Sequence, residues 1–336
     1  TGYETVAYFS KFSGWFGGQV YWDSRSPGFD TNDLGFMNRA DRIQSGAHVY
    51  AQIQQPWALA RRSGFNVNVW SHWNFDRINL KKGINFNNWH ELKNYWWFNF
   101  GISRDFEAMD DLVTRGGPVM ANPASIWYWS NLSTDSRKRI SGGVSSFGSR
   151  AQAGRSWARN VNVWATIRPA SYVQIDLSPG YSTEKNFAQW VTNVDTDGDG
   201  RNDRFVFGEL RSQVLDITAR ATVSFTPDLS LQFYMQPFVA AGDYGAIKAL
   251  ARPASYEFIP YAGLNFNPDF HRRSLRSNMV MRWEYRPGST LFLVWSQSRS
   301  ASSPDPSFRP WQSLGDSLSD DGSNIFLVKM SYWLNM

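Results

Sequence analysis

The chain has 336 residues, a net charge of +5 and no cysteine, which excludes a disulfide framework and any thiolate-held metal. The charge is modest and scattered, so no basic stripe for nucleic acid is visible. Mean hydropathy is −0.45, and the longest apolar stretches resemble Tyr95-Trp96-Trp97-Phe98, far short of the roughly 20 residues of a membrane helix.

The chain starts at Thr1 with no visible signal peptide, which reads as a mature, trimmed or fragmentary start. Aromatic content is the unusual quantity: 17 Trp, 14 Tyr and 24 Phe. A large soluble β-sandwich or propeller core would use such rings. So would aromatic girdles at two membrane interfaces.

Period-2 alternation recurs along the chain, and the helical period is scarce. In 65–76, Phe65, Val67, Val69, Trp73 and Phe75 fall on one face, with Asn66, Asn68, Trp70, His72 and Asn74 on the other. Val161, Val163, Ala165 and Ile167 oppose Asn162, Trp164, Thr166 and Arg168. Val173, Ile175 and Leu177 oppose Gln174, Asp176 and Ser178. Leu215 through Phe225 alternate with Asp216, Thr218, Arg220, Thr222 and Ser224. Met279, Met281, Trp283 and Tyr285 alternate with Arg282, Glu284 and Arg286. At the end of the chain, Val328, Met330, Tyr332, Leu334 and Met336 share a face. Such runs match, or extend to, the roughly 9–11 residues with which a tilted strand crosses a bilayer.

Connections are of two kinds. Tight ones carry Pro or Gly, as at 168–171, 226–229 and 286–289, where these residues supply the dihedrals a turn requires. Long polar ones span 28–39, 106–124, 194–204, 242–271 and 300–324. From residue 157 onward the two kinds alternate. The expectation is an all-β fold: one transmembrane antiparallel up-and-down β-barrel over residues 1–336, of about 14–16 strands and even in number, with short periplasmic turns and long extracellular loops. Tracing from the two ends leaves 84–155 uncertain by one strand. Unpaired backbone in hydrocarbon is costly, so the last strand is expected to close on the first, around 4–13.

The segment Ser26-Pro-Gly-Phe-Asp-Thr-Asn-Asp-Leu-Gly-Phe36 with Ala40-Asp41-Arg42 resembles domain-of-unknown-function family 5916. The segments 114–118, 135–138 and 226–232 extend the resemblance, which covers essentially the whole chain. It implies a C-terminal barrel of bacterial outer-membrane proteins. Many members place a β-sandwich similar to a family 9 carbohydrate-binding module ahead of that barrel. No activity comes with the family, and no sugar-binding role transfers from that module to these residues.

Two constellations could carry chemistry. In 195–203, Asp195, Asp197, Asp199 and Asp203, with the Arg201 carbonyl, offer hard oxygen ligands around a tight Gly turn. This predicts a structural Ca²⁺ clamp resembling the first part of an EF-hand loop, without its distal Glu, since position 206 is Val. The alternative is a solvated acidic turn. The second constellation is the inward polar face. Trp70, His72, Asp216, Arg220, Arg276, Arg282, Glu284 and Arg286 are expected to line a lumen, either as a field that selects polar solutes or as an ion-pair lattice. Inward Trp70, Trp97 and Trp164 suggest constriction or ring stacking. Among His48, His72, His90 and His271, only His48 and His72 come near inward candidates such as Ser45, and no catalytic triad is legible. The expected function is a channel or uptake barrel for small polar solutes, not an enzyme, in the bacterial outer membrane. Its expected partners are outer-membrane lipid and, at the long loops, other envelope proteins, with no nucleic acid. The alternatives are a non-conducting scaffold for an extracellular or periplasmic partner and, remotely, a barrel-embedded hydrolase.

Overall fold

A computed structural model describes residues 1–32, 35–151 and 154–334. Asp33 and Leu34 of the family-like motif, and Met336 of the final alternation, lie outside the described residues.

Alternating sequence becomes one antiparallel meander. The main path runs β1 (Glu4–Lys11), β2 (Phe16–Arg25), β3 (Arg42–Ile53), β4 (Ala60–Trp73), β5 (Asn79–Leu92), β6 (Trp97–Asp105), β9 (Ser125–Ser133), β10 (Ile140–Ala151) and β11 (Ser156–Ala170). It continues through β12 (Val173–Val194), β13 (Arg204–Ser224), β14 (Leu229–Leu250), β16 (Phe270–Arg286), β17 (Ser289–Ser303) and β18 (Gly322–Met330). Two short strands, β7 (Ala108–Asp110) and β8 (Met120–Asn122), pair with each other inside the 106–124 connection. β15 (Phe258–Pro260) adds to the end of β14. β7 and β8 lie in the stretch where the strand count was uncertain; all three short strands are loop structure and do not traverse the sheet.

The expected closure is not formed. Among the described residues β1 pairs with β2 alone and β18 with β17 alone. Among the described residues the path holds fifteen strands where an even number was expected. Both edge strands therefore run the same way, from the long-loop rim to the short-turn rim, and cannot pair antiparallel with each other. The final strand is also shorter than the alternation suggested. It ends at Met330, although Ser331 still exchanges backbone bonds with Thr290 (3.1 and 2.8 Å) and the Trp333 amide bonds Ser289 Oγ (2.9 Å).

Short turns collect at one rim: 12–15, 54–59, 93–96, 134–139, 171–172, 225–228 and 287–288. In the last, Pro fixes φ at position 287 and Gly288 takes φ +79°, the combination of a type II turn. The opposite rim carries the long connections, with 74–78 and 152–155 as short exceptions.

Strand-pair register divides the residues cleanly between two faces. On one face Val49, Val67, Phe86, Ile102 and Tyr128 form a continuous row across β3, β4, β5, β6 and β9. Val67 is 41 % and Ile102 44 % exposed. Among the described residues no second sheet covers this row. Val328, on the same apolar face at the β18 edge, is 70 % exposed.

β12, β13 and β14, of 22, 21 and 22 residues, outrun their neighbours. Toward their loop ends they bury Phe207 and Ala188 with Met120 of β8, against Phe187, Trp190, Phe205 and Phe258. This small core sits beyond the sheet's middle, where the 106–124 and 251–258 connections fold onto it. The 304–321 connection, with α1 (Pro310–Asp316), packs elsewhere. Phe308 meets Tyr181 at 6.1 Å, Arg273 grips Asp320 with two bonds of 2.6 Å, and Ser313 meets His271 at 3.0 Å. Tyr181, Leu215, Val239 and Arg273 are one register row on the apolar face. The segment is thus a strap over the upper apolar face and does not reach across the polar one.

Candidate functional site on the polar face

The other face is built from amides. The Asn68 amide nitrogen donates to Asn66 Oδ1 (2.9 Å) and to Asn85 Oδ1 (2.6 Å). Asn87 donates to Asn66 (2.8 Å) and Asn85 (3.1 Å). Trp129 Nε1 donates to Asn87 Oδ1 (3.2 Å), and His48 Nδ1 lies 2.5 Å from Asn68 Oδ1. Each amide offers a donor and an acceptor, so cross-strand Asn neighbours satisfy one another and still leave groups free.

Tryptophans lie against glycines in this lattice. Trp129 is the register partner of Gly101, and a Cβ on Gly101 would come within 2.2 Å of Trp129 Nε1. Trp89 sits against Gly64 in the same way, at 2.2 Å. Trp70 with Gly83 and Trp164 with Gly143 repeat the arrangement. Without a side chain beneath it, each indole can lie over its neighbour's backbone and stay half-exposed. Trp97 approaches Trp89 at 5.7 Å between ring centres. The space bounded by Arg62, Asn66, Asn87, Asn88, Trp89, Trp97, Asn99 and Trp129 measures about 640 Å³. Arg62 is ion-paired with Glu91, a carboxylate that Arg61 shares at 3.5 Å.

The expected lining residues separate into two groups. Trp70 and His72 are on β4, where Lys81 lies 5.9 Å from the Trp70 ring. Asp216, Arg220, Arg276, Arg282 and Glu284 are on the same polar face across β13 and β16. Arg282 pairs with Glu284 at 2.7 Å, and Glu284 also accepts from the Gly288 amide at 3.1 Å. Arg220 faces Asp176 in register, but that carboxylate accepts from Thr166 (2.6 Å) and Gln174 (2.8 Å). Among the described residues neither Arg220 nor Arg276 has an ion pair within 4.0 Å. Arg286 turns to the Tyr332 hydroxyl at the short-turn rim and does not line the face. Ion-paired and unpaired arginines thus occur on the same face. Pairs such as Arg25–Glu4 (2.6 Å) and Arg62–Glu91 lie on one half; on the other, Arg282 is paired, and Arg220 has no carboxylate partner among the described residues but lies 5.2 Å from the Tyr234 ring.

The acidic loop forms only in part as expected. Ligand atoms of Asp195, Asp197 and Asp199 lie within 4.8 Å of one another. Asp203 is turned away, bonding Thr196 through its amide (3.0 Å) and hydroxyl (2.5 Å), which holds its carboxyl below the usual range. The Arg201 amide donates to Asp199 (2.8 Å). Backbone donors from Gly200 and Gly198 likewise lower the Asp195 carboxyl.

His48 bonds Asn68 and not Ser45. The Ser–His contacts that do form are Ser63–His90 (2.8 Å) and Ser313–His271 (3.0 Å). The asparagine lattice was open to the sequence, since Asn66 and Asn68, and Asn85 and Asn87, alternate within two strands, with Asn99 on a third. Register alone shows that they meet.

The family described as a domain of unknown function (DUF5916) matches residues 1–336. No curated protein matches the chain, and no solved structure does.

Proposed function

Because the chain belongs to this family of unknown function along its whole length, its role is read from its two faces, and we propose that it is a barrel of the bacterial outer membrane whose polar interior admits small polar solutes. One observation carries the reading: a continuous, exposed apolar face backs a hydrogen-bonded amide face on the same sheet. In water such an area of exposed Val, Ile and Phe would be an aggregation liability. Against acyl chains it is the favourable surface, and the amide face then encloses water. Aromatic side chains in the short turns agree with this. Phe12, Trp15, Trp57, Tyr95, Trp96, Tyr172 and Phe225 are all exposed there, where a girdle would meet the interface. Sealing β1 toward β18 would remove unpaired backbone groups from hydrocarbon, each worth several kcal/mol.

Purified protein in a planar lipid bilayer tests the passage. Stepwise ohmic conductance is the expected result, and silence at high protein density refutes a channel. A non-conducting scaffold is the second reading, favoured by the packed core above β12, β13 and β14, which raises a structured platform beyond the sheet. The carboxylates of Asp195, Asp197 and Asp199 fit a structural Ca²⁺ held by oxygen ligands in the 195–203 loop.

A further inference from the structure

We propose that the space between β4, β5, β6 and β9 on the polar face binds a neutral carbohydrate, an inference that rests on the proposed passage of polar solutes only for how the ligand arrives. Three features of the space select this ligand class.

The first is flat apolar surface. Trp89 and Trp129 rest against the backbone of Gly64 and Gly101, and Trp97 stands beside Trp89. An indole backed on one face by a glycine strand keeps its other face for a ligand. The C–H face of a pyranose ring is the complementary shape, apolar yet carried on a polar molecule.

The second is unused hydrogen-bonding capacity of both signs. Asn66 Oδ1 accepts two bonds, but its Nδ2 has no protein acceptor among the described residues. Asn99 makes one long bond, Nδ2 to Asn131 Oδ1 at 3.5 Å, and its Oδ1 has no donor among the described residues. The indole N–H groups of Trp89 and Trp97 are also without acceptors among the described residues. Sugar hydroxyls donate and accept at once, so a mixed set of amides and N–H groups suits them. A carboxylate or phosphate would leave the free acceptor facing like charge.

The third is paired charge. The one cation in the lining, Arg62, is committed to Glu91 and lies 5.4 Å from the Trp97 ring centre. Unlike Arg220 and Arg276 on the other half of the face, the lining arginine has a carboxylate partner, which it shares with Arg61 outside the lining. The volume of about 640 Å³ falls in the range of small-molecule sites. A larger cleft of about 870 Å³, between Ile78–Lys82 and the 107–123 segment, has Lys82 and Glu107 in its lining and no paired indoles.

The test is titration calorimetry on the full chain in detergent micelles, with maltotriose, cellotriose and chitotriose as neutral probes and trigalacturonate as the charged counterpart. The expected result is saturable binding of at least one neutral trisaccharide, with trigalacturonate weaker. Trp89→Ala and Trp129→Ala should each lower affinity about tenfold, while Trp283→Ala on the apolar face leaves it unchanged. Asn99→Leu removes an amide without opening space and should also weaken binding, which keeps the test valid if a Trp variant misfolds. Absence of binding at millimolar sugar overturns the proposal. So does tighter binding of trigalacturonate, or binding that none of the three site substitutions alters. Conductance without sugar binding overturns this site and leaves the passage standing; sugar binding without conductance does the reverse.

Discussion

Substituting Val67 by arginine puts the apolar face to a quantitative test. Val67 is the eighth of fourteen residues in β4, 41 % exposed on the apolar face. From it the strand runs about 20 Å up to Trp73 and about 24 Å down to Ala60, at roughly 3.4 Å per residue. With a tilt of about 40° these become about 15 and 18 Å along the barrel axis, which puts Val67 near the centre of an apolar band about 25 Å tall. Arginine at that depth costs roughly 2–4 kcal/mol, falling to about 0–1 kcal/mol at the interface. In equilibrium constants this is a loss of roughly 30- to 700-fold against at most about fivefold. Tyr172→Arg, in the 171–172 turn, is the interfacial comparison, and Val67→Gln removes the β-branch without adding charge. Reversible folding into lipid vesicles under urea, followed by gel mobility of unheated samples, measures all three. If the face met water, Val67→Arg and Tyr172→Arg would both stay within about 0.5 kcal/mol of wild type. That outcome would refute the membrane reading together with the barrel built on it.

Four further outcomes follow from particular contacts. The two sheet edges should lie close together in the membrane-inserted protein. Val6→Cys with Leu327→Cys, in a chain without other cysteines, should be bridged by a disulfide, or by a cross-linker of about 10 Å if two strand spacings separate them; failure of both means the cylinder does not seal. Burial pushes the Lys248 ammonium down to about 8, beside Phe187 at 3.0 Å and Phe258 at 4.8 Å. The folded protein then binds fewer protons than the unfolded chain between about 8 and the ordinary lysine value of 10.5, so the small core gains stability as pH rises through that window. Lys248→Met should slow proteolysis of the 251–258 segment at pH values below it and lose that advantage above it; an equal advantage at both would contradict the assignment. Asp135, held by the Arg137 side chain at 2.8 and 2.7 Å, has its carboxyl lowered to about 2. Its contribution to the 134–139 turn is therefore fully present above the usual carboxylate range and fades only as pH falls through about 2, which a carboxyl-resolved NMR titration would detect; a midpoint near 3.8 would refute the contact. Asp197→Ala with Asp199→Ala should lower bound Ca²⁺ measured by elemental analysis, and unchanged content would exclude the three-carboxylate clamp.

Alternation at 65–76, 161–168 and 215–225 determined by itself that the chain is antiparallel sheet with one apolar and one polar face, because strand geometry sends neighbours to opposite sides. Pro and Gly at 226–229 and 286–289 likewise marked the short turns. Tertiary structure alone decided register, and register decides who meets. It brought Trp129 over Gly101, joined the asparagines of β4 and β5, and turned Asp203 away from Asp195 toward Thr196. It also showed that 106–124 and 304–321 fold onto the sheet without adding strands to its path, which leaves fifteen strands and two edges running the same way. The physical reason is one of range. A side chain's direction is fixed by its own backbone, whereas pairing across strands depends on turn lengths, bulges and packing summed over distant residues, which no local pattern encodes.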